Sequence, residues 1–132
     1  MGDTNLTAHD PRTESLAFRA ASALEDGKGA EIVLLNVARL SSFADYFVIA
    51  TGHSETHMKA LASRVSDAMV EEGLRTAHAE GRTSKTWILL DFGSVVVHIF
   101  SKRARRYYAL EDLWGDAQVL SWSGMTPAEK VE

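Results

Sequence analysis

The residues whose types and spacing could do chemistry fall into four groups. His53 and His57 stand four apart, a spacing at which two imidazoles can share one metal ion. The zinc-protease pattern needs Glu directly after the first His to act as base; here Ser54 follows, Glu55 comes one place later, and no third ligand is evident. The pair therefore reads as two polar residues in a first helical turn, with no metal expected. Asp45 and Asp91 sit at strand edges, where metal-binding carboxylates of phosphoryl transferases lie, but such sites want paired carboxylates for Mg²⁺. There is no Asp-x-Asp pair on a strand and no P-loop, so turn and cap roles are favoured for both. Neither Ser54 nor Ser94 lies in a Gly-x-Ser-x-Gly elbow, and His98, amid an apolar strand, lacks a visible partner that would make it a base. No catalytic residue is assigned.

The fourth group is a concentrated basic patch, Lys102, Arg103, Arg105 and Arg106, running into Tyr107, Tyr108 and Trp114. Cations beside aromatics suit RNA, through charge and stacking. They also suit a protein interface, since Tyr, Trp and Arg supply most hot spots. Positive charge at a helix start opposes the macrodipole, which disfavours a purely structural role. Glu111 is spaced to pair with an Arg one or two turns earlier and offset part of that repulsion. The residues favour a protein interface over RNA, with a solvated helix start whose aromatics pack in the core as the third reading. Trp87, His98 and Phe100 are placed on neighbouring strands, though register decides which of them share a face.

The elements that must position these groups follow from periodicity. Asp10 and Pro11 mark a helix start, and Leu16, Ala17, Ala20, Ala21 and Leu24 recur at helical spacing until Gly27 and Gly29. Ile32 to Val37 and Tyr46 to Thr51 read as buried strands. Ser54 caps a helix whose apolar face is Met58, Leu61, Ala62, Val65 and Met69, ending at Gly73. Thr76 to Glu80 reads as a short strand. Trp87 to Leu90 and Val95 to Phe100 are strands joined by a tight turn at Asp91, Phe92 and Gly93. Arg103 to Trp114 reads as the last helix. Runs without alternation, such as Ile32 to Leu35, imply strands buried on both faces. The expectation is a single layered α/β domain: a mixed five-stranded sheet with helices on both faces. Residues 1–9 read as a flexible lead, 10–115 as the domain, and 116–132 as a loose C-terminal tail.

Composition narrows the function classes. The chain has 132 residues, 45% hydrophobic and 24% charged, which is ordinary globular usage. With no cysteine there is no disulfide framework, thiolate metal site or cysteine nucleophile. The formal charge is −4, from 14 Lys+Arg against 18 Asp+Glu, so a general nucleic-acid coat is disfavoured and any such contact must be local. No apolar run reaches the roughly 20 residues of a membrane span. The expected setting is cytoplasmic.

Three segments taken in order resemble the ribosomal silencing factor family (RsfS, also called Iojap). They are Ala44 to Gly52 with Ser54 and His57; Glu80-Gly81 followed by Trp87 to Gly93; and Val95 to Phe100 running into Arg105-Arg106-Tyr107-Tyr108-Ala109-Leu110-Glu111-Asp112-Leu113-Trp114. The resemblance covers about residues 13 to 115. Asn36 stands where members often carry Asp, and Thr56 where they often carry Arg. The resemblance implies a nucleotidyltransferase-like fold without the catalytic carboxylates and a non-enzymatic role needing no cofactor. Members bind the large ribosomal subunit through ribosomal protein uL14, on the face that meets the small subunit. They thereby block subunit joining and lower translation when nutrients are short. Members often form homodimers.

Carried onto this chain, the resemblance makes Trp87, His98 and Tyr108 contact residues and Arg105 and Glu111 orienting residues for the ribosomal protein. Lys102, Arg103 and Arg106 are left for ribosomal RNA, and Leu110, Leu113 and Trp114 for packing. Two rival readings remain: a nucleotidyltransferase-like phosphoryl-transfer enzyme using Asp45 and Asp91, and a direct RNA-binding module.

Overall fold

The computed structural model describes residues 11–75, 78–81, 85–108 and 118–121. Helix α1 spans Pro11–Asp26, strand β1 Ala30–Asn36 and strand β2 Tyr46–Gly52. Helix α2 spans Glu55–Glu71 and is followed by β3 (His78–Glu80), β4 (Trp87–Asp91) and β5 (Val95–Ser101). Helix α3 covers Lys102–Tyr108, and β6 covers Gln118–Ser121. The strands form one sheet in the order β3-β4-β5-β2-β1-β6. β2 and β5 run parallel and every other neighbouring pair is antiparallel, which makes the sheet mixed.

Two apolar layers hold the domain. Leu16, Ala20 and Leu24 of α1 and Met58, Leu61, Val65 and Met69 of α2 pack on one face, against Leu34, Tyr46, Val48, Ile88, Leu90, Val97 and Ile99. The opposite face carries Leu35, Phe47, Ile49, Val96 and Phe100, with Ala104 of α3 laid on them. β2 is buried along its whole length and β5 up to Phe100, which explains why neither strand alternates. Each fully buried Leu, Ile or Phe here contributes about 1.5–3 kcal/mol relative to exposure.

Local chemistry sets the element ends. Ser54 caps α2, its hydroxyl accepting from the His57 amide at 3.0 Å. Asp91 closes the β4–β5 hairpin: its carboxylate accepts from the Gly93 amide at 2.8 Å, with Gly93 at φ +94°. Ser101 caps α3, its hydroxyl accepting from the Ala104 amide at 3.1 Å. β1 carries a register shift between Ala30 and Val33, where Glu31 sits at φ +50°.

The five strands expected from sequence are all present. The sixth comes from the segment read as loose tail: Gln118–Ser121 pairs antiparallel with β1. Its four residues are too short for periodicity to reveal, and it covers what would be an open sheet edge. The expected continuation of the last helix through Leu110, Glu111, Leu113 and Trp114 lies outside the described residues.

Candidate functional site

The β4–β5 ladder settles the register that sequence left open. Trp87 pairs with Phe100, and Leu89 with His98. Phe47, Ile49 and Thr51 of β2 stand beside Val96, His98 and Phe100 in the parallel ladder. Strand alternation then places Trp87, Leu89, His98, Phe100, Phe47, Ile49 and Thr51 on one face. It is the face that carries α3, away from α1 and α2.

Trp87 is half-buried and His98 is 4% exposed. The Trp87 indole Nε1–H donates to His98 Nδ1 at 3.2 Å. Its ring also packs on Phe100, with centroids 4.9 Å apart at 39°. Phe47 meets the imidazole edge-on at 4.9 Å, and Phe100 lies nearly parallel to it at 6.2 Å. Accepting at Nδ1 assigns the neutral ring with its proton on Nε2, and that nitrogen is buried with no partner among the described residues. Burial lowers the His98 pKa from 6.5 to about 4, so the ring stays neutral and keeps accepting from Trp87 near neutral pH. His98 is thus a rigid acceptor that sets the tilt of one large, partly open aromatic.

The basic patch divides in two. Lys102, Arg103 and Arg106 are exposed and line an open depression with Tyr107, which is 79% exposed. Arg105 turns inward and is 7% exposed, its guanidinium donating to Thr51 Oγ1 at 2.9 Å. The Thr51 hydroxyl in turn donates to Glu31 Oε1 at 3.1 Å. Tyr108 closes α3, and Glu111 lies outside the described residues. The structure therefore brings Trp87 and His98 together and anchors Arg105 in the interior, one strand beyond Phe100. Thr51, Glu31, Phe47 and Phe100 were not singled out as site residues. Phe47 and Thr51 meet His98 and Arg105 through the β2–β5 pairing, which joins residues about fifty positions apart. Phe100 meets Trp87 across β4–β5, and Glu31 reaches Thr51 from β1; none of these contacts leaves a local signal.

His53, His57 and Asp91 have structural roles. His57 Nδ1 accepts from the His53 amide at 2.8 Å, and its Nε2–H donates to the Gly27 carbonyl at 2.8 Å. The His53 and His57 rings stack at 4.9 Å and 5°. With both His57 nitrogens engaged, the pair joins the turn after α1 to the start of α2 and offers no shared ligand geometry. The Asp91 carboxylate serves the hairpin turn. Among the described residues no three His, Cys, Asp or Glu side chains cluster as a metal site, and no helix is long and apolar enough to cross a membrane.

The chain as a whole is similar to known proteins over most of its length. Residues 10–132 match the family model described as ribosomal silencing factor during starvation. The chain is similar to the ribosomal silencing factor RsfS of Halalkalibacterium halodurans, at 40% identity over 112 residues, covering 85% of this chain and 96% of that protein. Its similarity to RsfS of Bacillus subtilis is 42% over 104 residues, covering 79% of this chain and 88% of the relative. A crystal structure of a Chromobacterium violaceum protein superposes with a TM-score of 0.76 at 36% identity, covering 89% of this chain and 97% of that one. Sequence agreement at this level over most of the chain, on a matching mixed-sheet fold, makes this chain a member of the ribosomal silencing factor family.

Proposed function

We propose that this chain binds the large ribosomal subunit through ribosomal protein uL14 and sterically blocks joining of the small subunit, repressing translation when nutrients are short. The observation that carries the reading is Trp87: a large aromatic, half-open to solvent, whose orientation is fixed by His98 and Phe100. Aromatics held rigidly and partly exposed lose little entropy on docking and are the usual anchors of protein interfaces. Family membership supplies the ribosomal setting. The net charge of −4 favours encounter with a basic ribosomal protein.

Lys102, Arg103 and Arg106 then meet ribosomal RNA from the same side of the sheet, through phosphate contacts that give register rather than sequence recognition. The protein works by occupancy, so its concentration against the dissociation constant decides how many subunits are silenced. In the free state we propose a homodimer, in the cytoplasm.

The test is co-sedimentation with isolated large subunits, with subunit joining assayed in the same mixture. Pelleting with large subunits together with reduced joining is expected. Protein that stays in the supernatant across a range of salt concentrations would overturn the reading.

A further inference from the structure

Helix α3 has a buried cation in its middle. Arg105 is the one basic residue of Lys102–Tyr108 that turns away from solvent. A guanidinium has only donors, so Thr51 Oγ1 must accept from it, which commits the single hydroxyl proton of Thr51 to Glu31. The result is a one-way chain from cation through hydroxyl to carboxylate, with a charge at each end strengthening both bonds.

Glu31 reaches this position from the irregular turn of β1, at φ +50°, a conformation that a non-glycine residue keeps only when its surroundings hold it. Thr51 lies in one cross-strand row with Phe100 and Trp87. The chain thus fastens α3 at a point two strands from the aromatic anchor.

We propose that Arg105, Thr51 and Glu31 form an internal latch that fixes the angle of α3 on the sheet. The latch thereby sets how Lys102, Arg103, Arg106 and Tyr107 are presented beside Trp87. Arg105 and Thr51 are positioning residues: they act through α3 rather than by touching the ribosome. The proposal rests on the ribosome-binding reading above. It explains a feature that charge counting misses, namely that the four cations of the patch do two different jobs. The three outer ones are available to phosphate, while the inner one is consumed in holding them.

The test compares Thr51→Val, which keeps the shape but neither accepts nor donates, with Thr51→Ser, which keeps the hydroxyl. Two readouts are taken on the full chain: amide hydrogen exchange at residues 105–108 against β5, and the salt dependence of large-subunit binding. In Thr51→Val, exchange in α3 is expected to quicken by about tenfold while β5 is unchanged. Binding weakens, and the slope of log affinity against log salt becomes shallower by about one for each phosphate that the outer cations cease to engage. Thr51→Ser restores both. A general loss of stability would not flatten the salt slope of the folded fraction.

Wild-type exchange and wild-type slope in folded Thr51→Val, or failure of Thr51→Ser to restore them, overturns the latch. Should Thr51→Val not fold, Glu31→Ala removes the far end of the chain from an exposed position, and the same outcomes apply. Absence of binding by the unmodified protein would instead count against the ribosomal reading, with the exchange comparison still deciding whether the latch holds α3.

Discussion

The indole nitrogen of Trp87 donates to Nδ1 of His98 across neighbouring antiparallel strands, at 3.2 Å. The bond requires an unprotonated Nδ1, and burial keeps the imidazole neutral by lowering its pKa to about 4. Above the unfolded value of 6.5 the ring is neutral in both states and contributes no pH dependence. As pH falls below 6.5 the unfolded chain takes up a proton that the folded one refuses, so stability declines. By pH 4 the loss from this residue is about 3 kcal/mol. Chemical denaturation between pH 7 and pH 4 should show this decline, and the His98→Phe variant should show a shallower one. Equal pH slopes for the two proteins would remove His98 as the cause.

Trp87 carries both a packing role and the proposed anchoring role, and two substitutions separate them. Trp87→Phe keeps a ring against Phe100 and loses the Nε1–H. Trp87→Ala loses the ring, and because the side chain is only half-buried it should cost about 2 kcal/mol, less than the 3–5 kcal/mol of a fully buried aromatic. Both variants should fold, and Trp87→Ala should bind large subunits at least tenfold more weakly, in the range of a hot-spot residue. Thermal melts paired with co-sedimentation check this. Undiminished binding by folded Trp87→Ala would show that the anchor lies elsewhere.

How much of this was legible in the sequence follows the distance over which each feature is encoded. Ser54 as a cap, the hairpin at Asp91 to Gly93 and the apolar face of α2 are local patterns, and each has a short-range physical cause. Trp87, His98 and Phe100 could be named but not assigned to a face, because that needed the strand register. Arg105 could not be separated from Lys102, Arg103 and Arg106, since its partner Thr51 is 54 positions away. β6 was missed because four residues with a Val119-Leu120 pair carry too little pattern to outweigh the Ser, Gly and Pro around them.

The His57 ring ties the turn after α1 to the turn that enters α2, so its removal should be felt well beyond its own turn. His57→Ala leaves the Gly27 carbonyl and the His53 amide without these partners, and it ends the stacking with His53. Two hydrogen bonds at about 1 kcal/mol each predict a loss near 2 kcal/mol. His57→Asn can replace at most one of the two bonds and should recover part of it. Urea denaturation of the three proteins gives the ordering; an unchanged midpoint in His57→Ala would mean that water replaces both bonds without penalty.

Gly81 should tolerate no side chain, and the reason lies next to the proposed anchor. It sits at φ +76°, and a Cβ there would collide with the backbone carbonyl oxygen of Trp87. That neighbour is backbone within a paired strand and cannot rotate aside as a side chain would. Gly81→Ala therefore combines an unfavourable backbone conformation with a collision, and a loss of about 3 kcal/mol or more is expected. Relief requires the start of β4 to move, which would shift Trp87 away from Phe100 and His98. Binding to large subunits should then fall further than stability alone predicts. The comparison with Gly93→Ala is the control: Gly93 has a similar φ of +94°, but an added Cβ meets nothing within 4 Å, so only the backbone strain is felt. Equal losses of stability and binding in the two variants would show that the clash with the Trp87 carbonyl has no consequence of its own.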